Sequence, residues 1–427
     1  MSNANFQALP GFRDFYPDDF AVRAHIMRTW REVARRYGFQ EYDGPPLEPL
    51  ELYTEKSGPE IVQQLYNFTD KGGREVAMRP EMTPTLARMA GARAGGLRKP
   101  IKWFSIPQLF RYERAQRGRL REHFQLNLDI IGEDDVAADA ELLAAAIDML
   151  RAFGLTEKDF VARVSDRRLL RALLLHAGVP EDQLVLVYNI VDKLERETRE
   201  AIGARLRNEA GMDEESTVRT LDIFRHTDFA AVREAYGGTE GVGPEIERMA
   251  EILGHVDSMG LGGYVRFDLS IVRGLAYYTG IVFELFDATG ELRAICGGGR
   301  YDNLLAQVGG VQLPALGFGM GDVVLKELLS DRGLLPETRP VLDYYVIAPA
   351  EQRAELLAVV HRLRDGGASV DYGYRPQGVN KQFKNASALG ARRVVVLSPE
   401  GSAGMATVRD SETREETRVP LAELGRP

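Results

Sequence analysis

One segment of the chain combines residue types that seldom share a β-strand. Residues 273–284 read Arg-Gly-Leu-Ala-Tyr-Tyr-Thr-Gly-Ile-Val-Phe-Glu, so a cation, two adjacent tyrosines and two glycines precede a β-branched and aromatic run. Arginine and glycine fit such a strand poorly, and local misfits often mark functional sites. Arg273 and Tyr278 reach one pocket only if the strand bends between them, which Gly274 permits. The segment therefore predicts a binding site.

A second candidate is a basic loop at residues 111–121, which carries five arginines and a single acidic residue, Glu113. Arg111 suits bidentate binding of a carboxylate or a phosphate. The formal net charge of −9 argues weakly against nucleic-acid binding, but a local basic stripe on an acidic protein can still bind it. A solvated charged loop is the competing interpretation. The arginines are Arg111, Arg114, Arg117, Arg119 and Arg121.

The basic loop joins two segments, 106–113 and 124–131, that are typical of a β-hairpin. Residues of the second arm alternate between apolar Phe124, Leu126, Leu128 and Ile130 and polar Gln125, Asn127 and Asp129. This period of two predicts one buried face and one polar face. Arg111 and Glu113 are predicted to share a face of the first arm. Cross-strand ion pairs on a surface sheet are the alternative interpretation.

These segments resemble motifs of one enzyme family. Residues 110–119, Phe-Arg-Tyr-Glu-Arg-Ala-Gln-Arg-Gly-Arg, and the following 121–125 are similar to motif 2 of the class II aminoacyl-tRNA synthetases, in its histidyl version. Residues 273–278 resemble the histidine-specific signature of the histidyl-tRNA synthetases. Further family segments are matched, in family order, by Pro-Gly-Phe-Arg-Asp at 10–14, Arg-Pro-Glu-Met-Thr at 79–83 and Gly-Gly-Arg-Tyr-Asp at 298–302.

The resemblance implies a ligase that activates histidine with ATP and transfers it to tRNA(His), with Arg111 and Arg273 as catalytic cations. The implied histidine-binding residues are Glu81, Met82, Thr83, Arg111, Gln125, Asp129, Arg273, Tyr277, Tyr278 and Tyr301. The implied ATP-binding residues are Arg111, Glu113, Arg119 and Phe124. Within that set Glu113 reads adenine and Phe124 stacks on it. The implied tRNA-binding residues are Arg114, Gln116, Arg117, Lys381 and Lys384.

The implied chemistry is coherent in physical terms. Activation brings a carboxylate to an α-phosphate, and fixed cations offset the repulsion between these anions, here Arg111, Arg273 and Mg²⁺. Orientation of the two substrates supplies much of the rate, so no side-chain nucleophile is needed. A site that satisfies both histidine ring nitrogens rejects apolar analogues. At Asp129 the family commonly has glutamate and sometimes aspartate. The resemblance also implies a homodimer.

Two positions depart from the family pattern. Ala276 stands where an aspartate is usual, and Val324 stands where motif 3 has the arginine that binds the γ-phosphate of ATP. Either another cation, such as Arg119 or Arg300, replaces that arginine, or ATP activation is impaired. The amino-acid sequences of both segments resemble those of a divergent branch of the family. This branch includes plant organellar enzymes and carries both changes together.

Composition excludes several other classes. Cys296 is the only cysteine, so the chain forms neither an internal disulfide nor a Cys-rich zinc site. The six histidines show no metal-ligand spacing, so no bound transition metal is expected. No apolar run is long enough to cross a bilayer, and residues 1–17 lack a secretory pattern. A cytoplasmic location without membrane attachment is expected.

The chain is predicted to have an α+β fold, with a class II antiparallel sheet flanked by helices. Helices are predicted at 21–37, 84–94 and 135–153. Thr83 is predicted as the N-cap of the second helix and Gly38 as the residue that ends the first. The domain prediction is a catalytic domain at 1–332 with a helical insertion at about 156–260, a linker at 333–341 and an α/β domain at 342–427. That last domain is similar to the histidyl anticodon-binding domain, and its sheet is expected to be mainly parallel.

Two other functions compete with the ligase. A synthetase-like regulatory subunit of ATP phosphoribosyltransferase usually lacks the anticodon domain and has degraded motif 2 and Arg-Gly-Leu segments. A pseudo-synthetase that senses uncharged tRNA would be expected beside an effector domain. The chain keeps the C-terminal segment, the basic loop, Glu113 and Arg273, which favours the ligase.

Overall fold

The computed structural model describes residues 6–57, 59–194, 196–271, 278–337, 342–397 and 404–424, without the side chains of 55–61. The chain divides into two compact units, Met1–Pro336 and Glu337–Pro427. In the described residues no helix is both long and apolar enough to span a membrane.

The first unit is built on a central sheet that is antiparallel except at its two ends. The strand order is β1-β5-β7-β12-β11-β10-β8-β9, with β6 paired to the first part of β7. Only the end pairs, β1 with β5 and β9 with β8, are parallel within the described sheet. The strands are β1 Gln40–Glu41, β5 Ile101–Ser105, β6 Gln108–Phe110, β7 Glu122–Ile131, β8 Phe160–Asp166, β9 Val265–Phe267, β10 Ile281–Asp287, β11 Cys296–Arg300 and β12 Ala315–Gly321. A small separate sheet has the strands β2 Leu47–Pro49, β3 Asn67–Thr69 and β4 Glu75–Met78.

Helices flank the central sheet, and the predicted fold class is confirmed. The helices of the first unit are α1 Pro17–Arg36, α2 Glu51–Ser57, α3 Thr83–Arg93, α4 Val136–Arg151, α5 Arg167–His176, α6 Leu184–Val191, α7 Arg199–Asn208, α8 Glu214–Ile223, α9 Phe229–Tyr236, α10 Gly243–Ser258, α11 Leu304–Gly309 and α12 Asp322–Asp331. Helices α5 to α10 fill most of the predicted insertion, but β8, at the start of that range, belongs to the central sheet.

The predicted hairpin forms with a break in its first arm. β5 and β6 both pair antiparallel with β7, and the break between them contains Pro107, whose carbonyl accepts the Gln125 N–H at 3.1 Å. Proline has no N–H to give to a ladder, so the arm is interrupted there. Arg111 and Glu113 lie beyond the end of β6, so the prediction that they share a strand face is wrong.

Two predictions of helix ends have different outcomes. Gly38 follows α1 with a φ of +77°, the left-handed conformation that glycine adopts freely, as predicted. α3 begins at Thr83, Met82 occupies the cap position, and no side chain caps the helix. The prediction of Thr83 as the N-cap is therefore wrong by one residue.

The main core lies between α1, α4 and one face of the central sheet. Trp30 of α1 is fully buried there, with Leu126 and Leu128 of β7. α4 is rich in alanine and is buried along nearly its whole length, and the Asp135 carboxylate caps it by accepting the Ala137 N–H at 2.8 Å. Small side chains allow this helix to pack closely on the sheet.

A buried ion network links α4 to the sheet. Arg300 of β11 is 0% exposed and donates from Nε and Nη2 to the carboxylate of Asp139 on α4, at 2.8 and 3.0 Å. Arg248 of α10 also donates to Asp139, at 3.2 Å. Burial raises the pKa of Asp139, against the opposing effect of Arg300. The network holds the strand that leads directly into Tyr301.

The second unit has a mixed sheet with the strand order β14-β13-β15-β16-β17. β13 is parallel to both β14 and β15, while the pairings of β15 with β16 and of β16 with β17 are antiparallel. The expectation of a mainly parallel sheet is therefore wrong, because β16 and β17 were not predicted. The elements are β13 Tyr344–Ile347, β14 Val370–Tyr372, β15 Arg393–Val396, β16 Met405–Asp410, β17 Glu416–Pro420, α13 Arg353–Asp365 and α14 Val379–Ala388.

Replacement of Arg300 by methionine is expected to lower the free energy of unfolding by about 3–5 kcal/mol, because it leaves the Asp139 charge buried without its main partner. Arg168→Met is the matched control, since Arg168 pairs with the half-buried Asp302 and is itself 38% exposed. That variant is expected to lose about 1 kcal/mol or less. Thermal and urea unfolding of both proteins measure the difference, and equal losses would contradict the structural role of Arg300.

Candidate active site

On one face of the central sheet, strands β11 and β12 carry mostly glycine. β12 reads Ala-Leu-Gly-Phe-Gly-Met-Gly, so every second residue is glycine, and β11 pairs two more glycines with them. The large residues between them, such as Phe318, point into the main core on the other face. We call the glycine face the glycine floor; it consists of Gly297, Gly299, Gly317, Gly319 and Gly321.

The glycine floor makes room for polar side chains of β7. Gly317 lies opposite Asp129, and a Cβ at Gly317 would lie 1.9 Å from the Asp129 Oδ1. A Cβ at Gly319 would lie 2.4 Å from the Gln125 Nε2. Any side chain at these positions would displace Gln125 and Asp129. The two residues therefore share one face, as predicted, and extend over the floor.

Asp129 is buried and forms a hydrogen bond with Tyr301. The Tyr301 hydroxyl donates to the Asp129 Oδ1, and the two residues are 3% and 5% exposed. Apolar side chains of α3 and α11, such as Leu86 and Leu304, surround Tyr301. A carboxylate held by a phenol inside an apolar wall suits a small polar ring.

Tyr278 joins this group across the sheet. Its ring packs over Gly299, where a Cβ would lie 3.0 Å from the Tyr278 Cδ1. The next residue, Thr279, donates its N–H to the Arg300 carbonyl at 2.7 Å and its hydroxyl to the Asp302 carboxylate at 2.8 Å. The end of the 273–284 segment is thus fixed to the 298–302 segment. Three predicted or divergent positions, Arg273, Ala276 and Tyr277, lie outside the described residues.

The Glu81–Met82–Thr83 group lies at the start of α3, and buried Arg79 holds it in place. The Arg79 guanidinium donates to the Asp43 carboxylate at 2.7 Å and to the Gly44 and Gln108 carbonyls at 2.8 and 3.0 Å. Met82 is fully buried, whereas Glu81 and Thr83 are partly exposed. α3 packs against α11, which follows Tyr301. The group is therefore close to the Asp129–Tyr301 pair.

Arg111 is fixed beside this group by a backbone contact, because its Nε donates to the Pro80 carbonyl at 3.0 Å. Its backbone N–H donates to the Arg121 carbonyl at 2.9 Å, which closes the base of the basic loop. The guanidinium is thus held at Pro80, which precedes Glu81, and it lies close enough to His123 to lower the pKa of that imidazole. A cation in this position can neutralise an anion placed over the glycine floor.

The basic loop is folded on itself through ion pairs. Arg119 donates from Nε and Nη2 to the Glu113 carboxylate, and Gln116 and Arg119 exchange two backbone hydrogen bonds of 2.9 Å. Gly118 closes this turn with a φ of +70°. Arg117 extends outward and contacts Glu327 of α12 at 3.3 Å. Arg114 and Gln116 are exposed.

Phe124 does not lie with the residues over the glycine floor. The prediction that it stacks on adenine there is therefore wrong. Successive residues of a strand point to opposite faces, so Phe124 points away from Gln125 and Asp129. Its ring packs on Phe15, with centroids 6.1 Å apart, and under the Arg23 guanidinium at 4.7 Å. The family resemblance predicted this role for Phe124, but its position one residue off the polar face of β7 excludes it.

His123 is the ring on the correct face, and the sequence analysis missed it. It shares the parity of Gln125 and Asp129 on β7, and its alternation with Phe124 is visible in the sequence. Burial, followed by the charges of Arg111 and Arg13, lowers the pKa of His123 to about 3. The imidazole is therefore neutral near pH 7 and presents a planar, uncharged ring beside Arg111.

The N-terminal segment supports this site from the opposite face. Arg13 donates to the buried Glu122 carboxylate at 2.6 Å and to the Asp322 carboxylate at 2.9 Å. Asp322 also accepts the Phe124 N–H at 2.9 Å. Arg13 thereby ties the start of β7 to the start of α12, which explains why an arginine is present in the 10–14 segment.

Comparisons with known proteins agree with this arrangement. A family model described as histidyl-tRNA synthetase matches residues 11–322, and one described as anticodon binding domain matches residues 343–426. The chain belongs to the histidyl-tRNA synthetase family. The histidine–tRNA ligase of Opitutus terrae is 47% identical over 425 residues, which cover 99% of this chain and 97% of that protein.

A plant relative and a solved structure extend this result. The chloroplastic/mitochondrial histidine–tRNA ligase of Arabidopsis thaliana is 40% identical over 416 residues, which cover 97% of this chain and 85% of that protein. The expected similarity of the chain to plant organellar synthetases is confirmed. The crystal structure of histidyl-tRNA synthetase from Nostoc sp. PCC 7120 has a TM-score of 0.82 at 24% identity and covers 99% of this chain and 98% of its own. At that identity it shows a shared fold.

Val324, at the position of the usual motif 3 arginine, is apolar and buried. Val324 is 7% exposed and belongs to the main core, and a Cβ at Gly118 would lie 3.5 Å from its Cγ2. Arg300 is committed to Asp139 inside the protein, so it cannot replace the usual arginine, and that suggestion is wrong. The same position at Gly118 lies 3.6 Å from the Cδ of Arg293, an exposed residue that forms no ion pair within the described ranges.

The two candidate tRNA-binding lysines lie on α14 of the second unit, and both are exposed. Lys384, but not Lys381, lines a groove of that unit. Four arginines line the same groove, namely Arg392, Arg393, Arg409 and Arg414. Across the described residues of both units, no group of three or more His, Cys, Asp or Glu is arranged to hold a metal ion.

The depressed pKa of His123 predicts a pH dependence of stability. The unfolded chain binds a proton at His123 near pH 6.5, whereas the folded protein binds it only near pH 3. Stability is therefore full above pH 6.5 and is lost progressively as the pH falls toward 3. His123→Phe should show a smaller fall in thermal midpoint between pH 7 and pH 4.5 than the wild type.

Exposed His361 of α13 provides the control, and His361→Phe should retain the wild-type slope. If His123→Phe and the wild type lose thermal stability equally on acidification, the imidazole is not held neutral by its surroundings.

Proposed function

We propose that the protein is an active histidine–tRNA ligase that uses the glycine floor as its amino-acid site. A carboxylate oxygen of histidine displaces diphosphate from the α-phosphorus of ATP and forms histidyl-adenylate. A ribose hydroxyl at the end of tRNA(His) then attacks the carbonyl carbon, and AMP leaves. The observation that carries the proposal is the buried Asp129–Tyr301 pair beside Gln125 and Tyr278, which offers acceptors and donors for imidazole.

Histidine is proposed to lie with its ring toward Asp129 and its carboxylate toward the basic loop. Glu81 and Thr83, at the start of α3, and Gln125 then face its ammonium group. Arg111, held through Pro80, offsets the charge of the carboxylate and the α-phosphate. The family resemblance assigns the same role to Arg273. Fixed cations cost no reorganisation during reaction, so their position contributes directly to the rate.

ATP is proposed to bind between the basic loop and the start of β7. His123 supplies the planar ring on which adenine stacks, in place of Phe124. Arg119 leaves the Glu113 carboxylate and turns toward the phosphates, and Glu113 then accepts a hydrogen bond from the adenine amino group. Mg²⁺ that arrives with ATP needs only one or two carboxylates beside the phosphates, and it would neutralise their charge. Glu284, which lies on the glycine-floor face opposite Gly297, fits that need.

Arg293 is proposed to supply the γ-phosphate cation that Val324 cannot provide. It lies before β11, and the Ile295 carbonyl accepts the Gly321 N–H at 3.3 Å, which places this segment at the start of α12. Arg117 and Arg119 are already paired with carboxylates. Arg293 therefore carries a charge beside the motif 3 position without breaking an existing ion pair.

Binding of tRNA is proposed to use Arg114, Gln116 and Arg117 at the acceptor end. In the second unit, Lys381 and Lys384 would contact phosphates, while base contacts would supply specificity. The family resemblance also leads us to propose a homodimer in the cytoplasm. Light scattering of the purified protein tests the dimer, because a monomeric mass at micromolar concentration contradicts it.

Histidine-dependent exchange between ATP and diphosphate tests the activation step. Wild-type protein should catalyse exchange with histidine and not with other amino acids. Arg111→Ala should reduce exchange by about 10²–10³-fold, because it removes a cation aimed at developing charge. Arg266→Ala on β9, an exposed arginine at the far end of the sheet, is the matched control and should retain exchange.

Binding of histidine without any exchange would contradict the proposal. Co-purification with ATP phosphoribosyltransferase would then favour the regulatory alternative.

The Arg293 assignment predicts a selective defect in ATP use. Arg293→Ala should raise the KM for ATP by about 10-fold or more, since hydrogen bonds to charged groups contribute about 1.5–3 kcal/mol. The KM for histidine should stay unchanged. Exchange kinetics with each substrate varied in turn separate the two effects, with Arg266→Ala again as control. An unchanged KM for ATP would exclude Arg293 from the phosphate site.

A further inference from the structure

Two buried hydroxyl groups beside Asp129 have no hydrogen-bond partner among the described residues. They are the hydroxyl of Tyr42, just after β1, and the Oγ of Ser105, in β5. Ser105 is 0% exposed. A buried polar group without a partner costs about 1–3 kcal/mol. Native proteins seldom retain that cost without a reason, and a ligand-binding role is one such reason.

Strand register places both hydroxyls in the histidine pocket. β1 and β5 are parallel with Glu41 opposite Phe104, so Tyr42 follows in line with Ser105. Ser105 lies opposite Asn127 of β7, on the face that carries Asp129. The Tyr42 ring packs on Trp103 at 5.4 Å, and Trp103 lies opposite Asp129.

The surroundings of Tyr42 agree with this position. Its ring belongs to the same apolar cluster as Tyr278 and Tyr301. Burial, followed by the charge of Asp129, raises the pKa of Tyr42. Ser105 lies near enough to oppose that rise, yet no hydrogen bond of acceptable geometry joins the two hydroxyls. Both groups therefore keep hydrogen-bonding capacity close to the Asp129 carboxylate.

The chemistry of imidazole explains what these hydroxyls would do. A neutral imidazole has one N–H donor and one acceptor nitrogen. Asp129 can only accept, and the Tyr301 proton already points to Asp129. A donor for the acceptor nitrogen must therefore come from another group.

We propose that Tyr42 and Ser105 are specificity-determining residues of the histidine pocket, whose hydroxyls join Asp129 in hydrogen-bonding the imidazole. This inference rests on the proposed function, because it concerns the same site. It assigns no role to either residue in the chemical step.

The test compares Tyr42→Phe, Ser105→Ala and the double variant in ATP–diphosphate exchange. Each single change should raise the KM for histidine by about 3- to 10-fold, the equivalent of one neutral hydrogen bond. The inhibition constant of histidinol, which keeps the ring and lacks the carboxylate, should rise in parallel. The kcat and the KM for ATP should stay at wild-type values.

Thermal stability separates binding from a structural role. Because neither hydroxyl has a partner in the part of the chain that the structure describes, its removal should leave the thermal midpoint equal to or above that of the wild type. A structural role would lower the midpoint instead. Thr220→Val is the matched control, since Thr220 of α8 also carries a buried hydroxyl without a partner and lies far along the chain in the insertion. It should leave every kinetic constant unchanged.

Two failures can be told apart. An active wild type with an unchanged histidine KM in the double variant overturns this inference and leaves the proposed function intact. A wild type without exchange overturns the proposed function, and calorimetric titration with histidine then decides the inference. Weaker binding by the double variant supports it, and equal binding overturns it. A lowered midpoint with both substrate KM values raised also overturns it.

Discussion

The site depends on the absence of side chains along two neighbouring strands. β12 buries Leu316, Phe318 and Met320 on one face, and its other face, together with that of β11, is formed largely by the glycine floor. Without Cβ atoms at Gly317 and Gly319, Gln125 and Asp129 can lie over the sheet, and Tyr278 can pack on Gly299. The main core is therefore continuous beneath a floor on which these polar side chains lie. Glycine weakens a strand, and here strong pairing on both sides offsets that loss.

Sequence patterns predicted the chemistry of the family better than its geometry. The short motifs and the period-two pattern of β7 placed Gln125 and Asp129 on one face, because alternation is a local property of a strand. The family resemblance predicted that Phe124 stacks on adenine, although the same alternation points Phe124 toward Arg23 and places His123 on the face of Gln125. Parity was readable in the sequence, but it had to be applied to every residue of the strand.

Other features depended on contacts distant in sequence. Arg300 seemed available as a phosphate ligand because its partner, Asp139, lies 161 residues away. The alternating glycines of β12 were visible, but their meaning depends on the strands that pair beside them. The parallel sheet expected for the second unit is wrong because β16, which is mostly half-buried, and β17, which is largely exposed, show little apolar alternation in the sequence. Helix termini shifted by one to four residues, since capping is decided by local geometry as well as residue type.

The net charge of −9 hides how the arginines are distributed. Some arginines hydrogen-bond to carboxylates or carbonyls inside the first unit and hold its elements together, namely Arg13, Arg79 and Arg300. In the basic loop, Arg117 and Arg119 pair with carboxylates near the surface. Surface pairs contribute little to stability, so these two arginines lose little free energy when they leave their carboxylates. Arginine thus has two roles in this unit. Buried arginines hold structural elements together, whereas arginines near the surface have weakly held partners.

One close contact joins two helices beside the pocket. A Cβ at Gly91 of α3 would lie 2.2 Å from the carbonyl oxygen of Gly309 in α11, so the two helices meet backbone to backbone. α3 follows Glu81, and α11 follows Tyr301. A larger residue at Gly91 or Gly309 would therefore push apart the two helices that carry the chain away from Glu81 and from Tyr301.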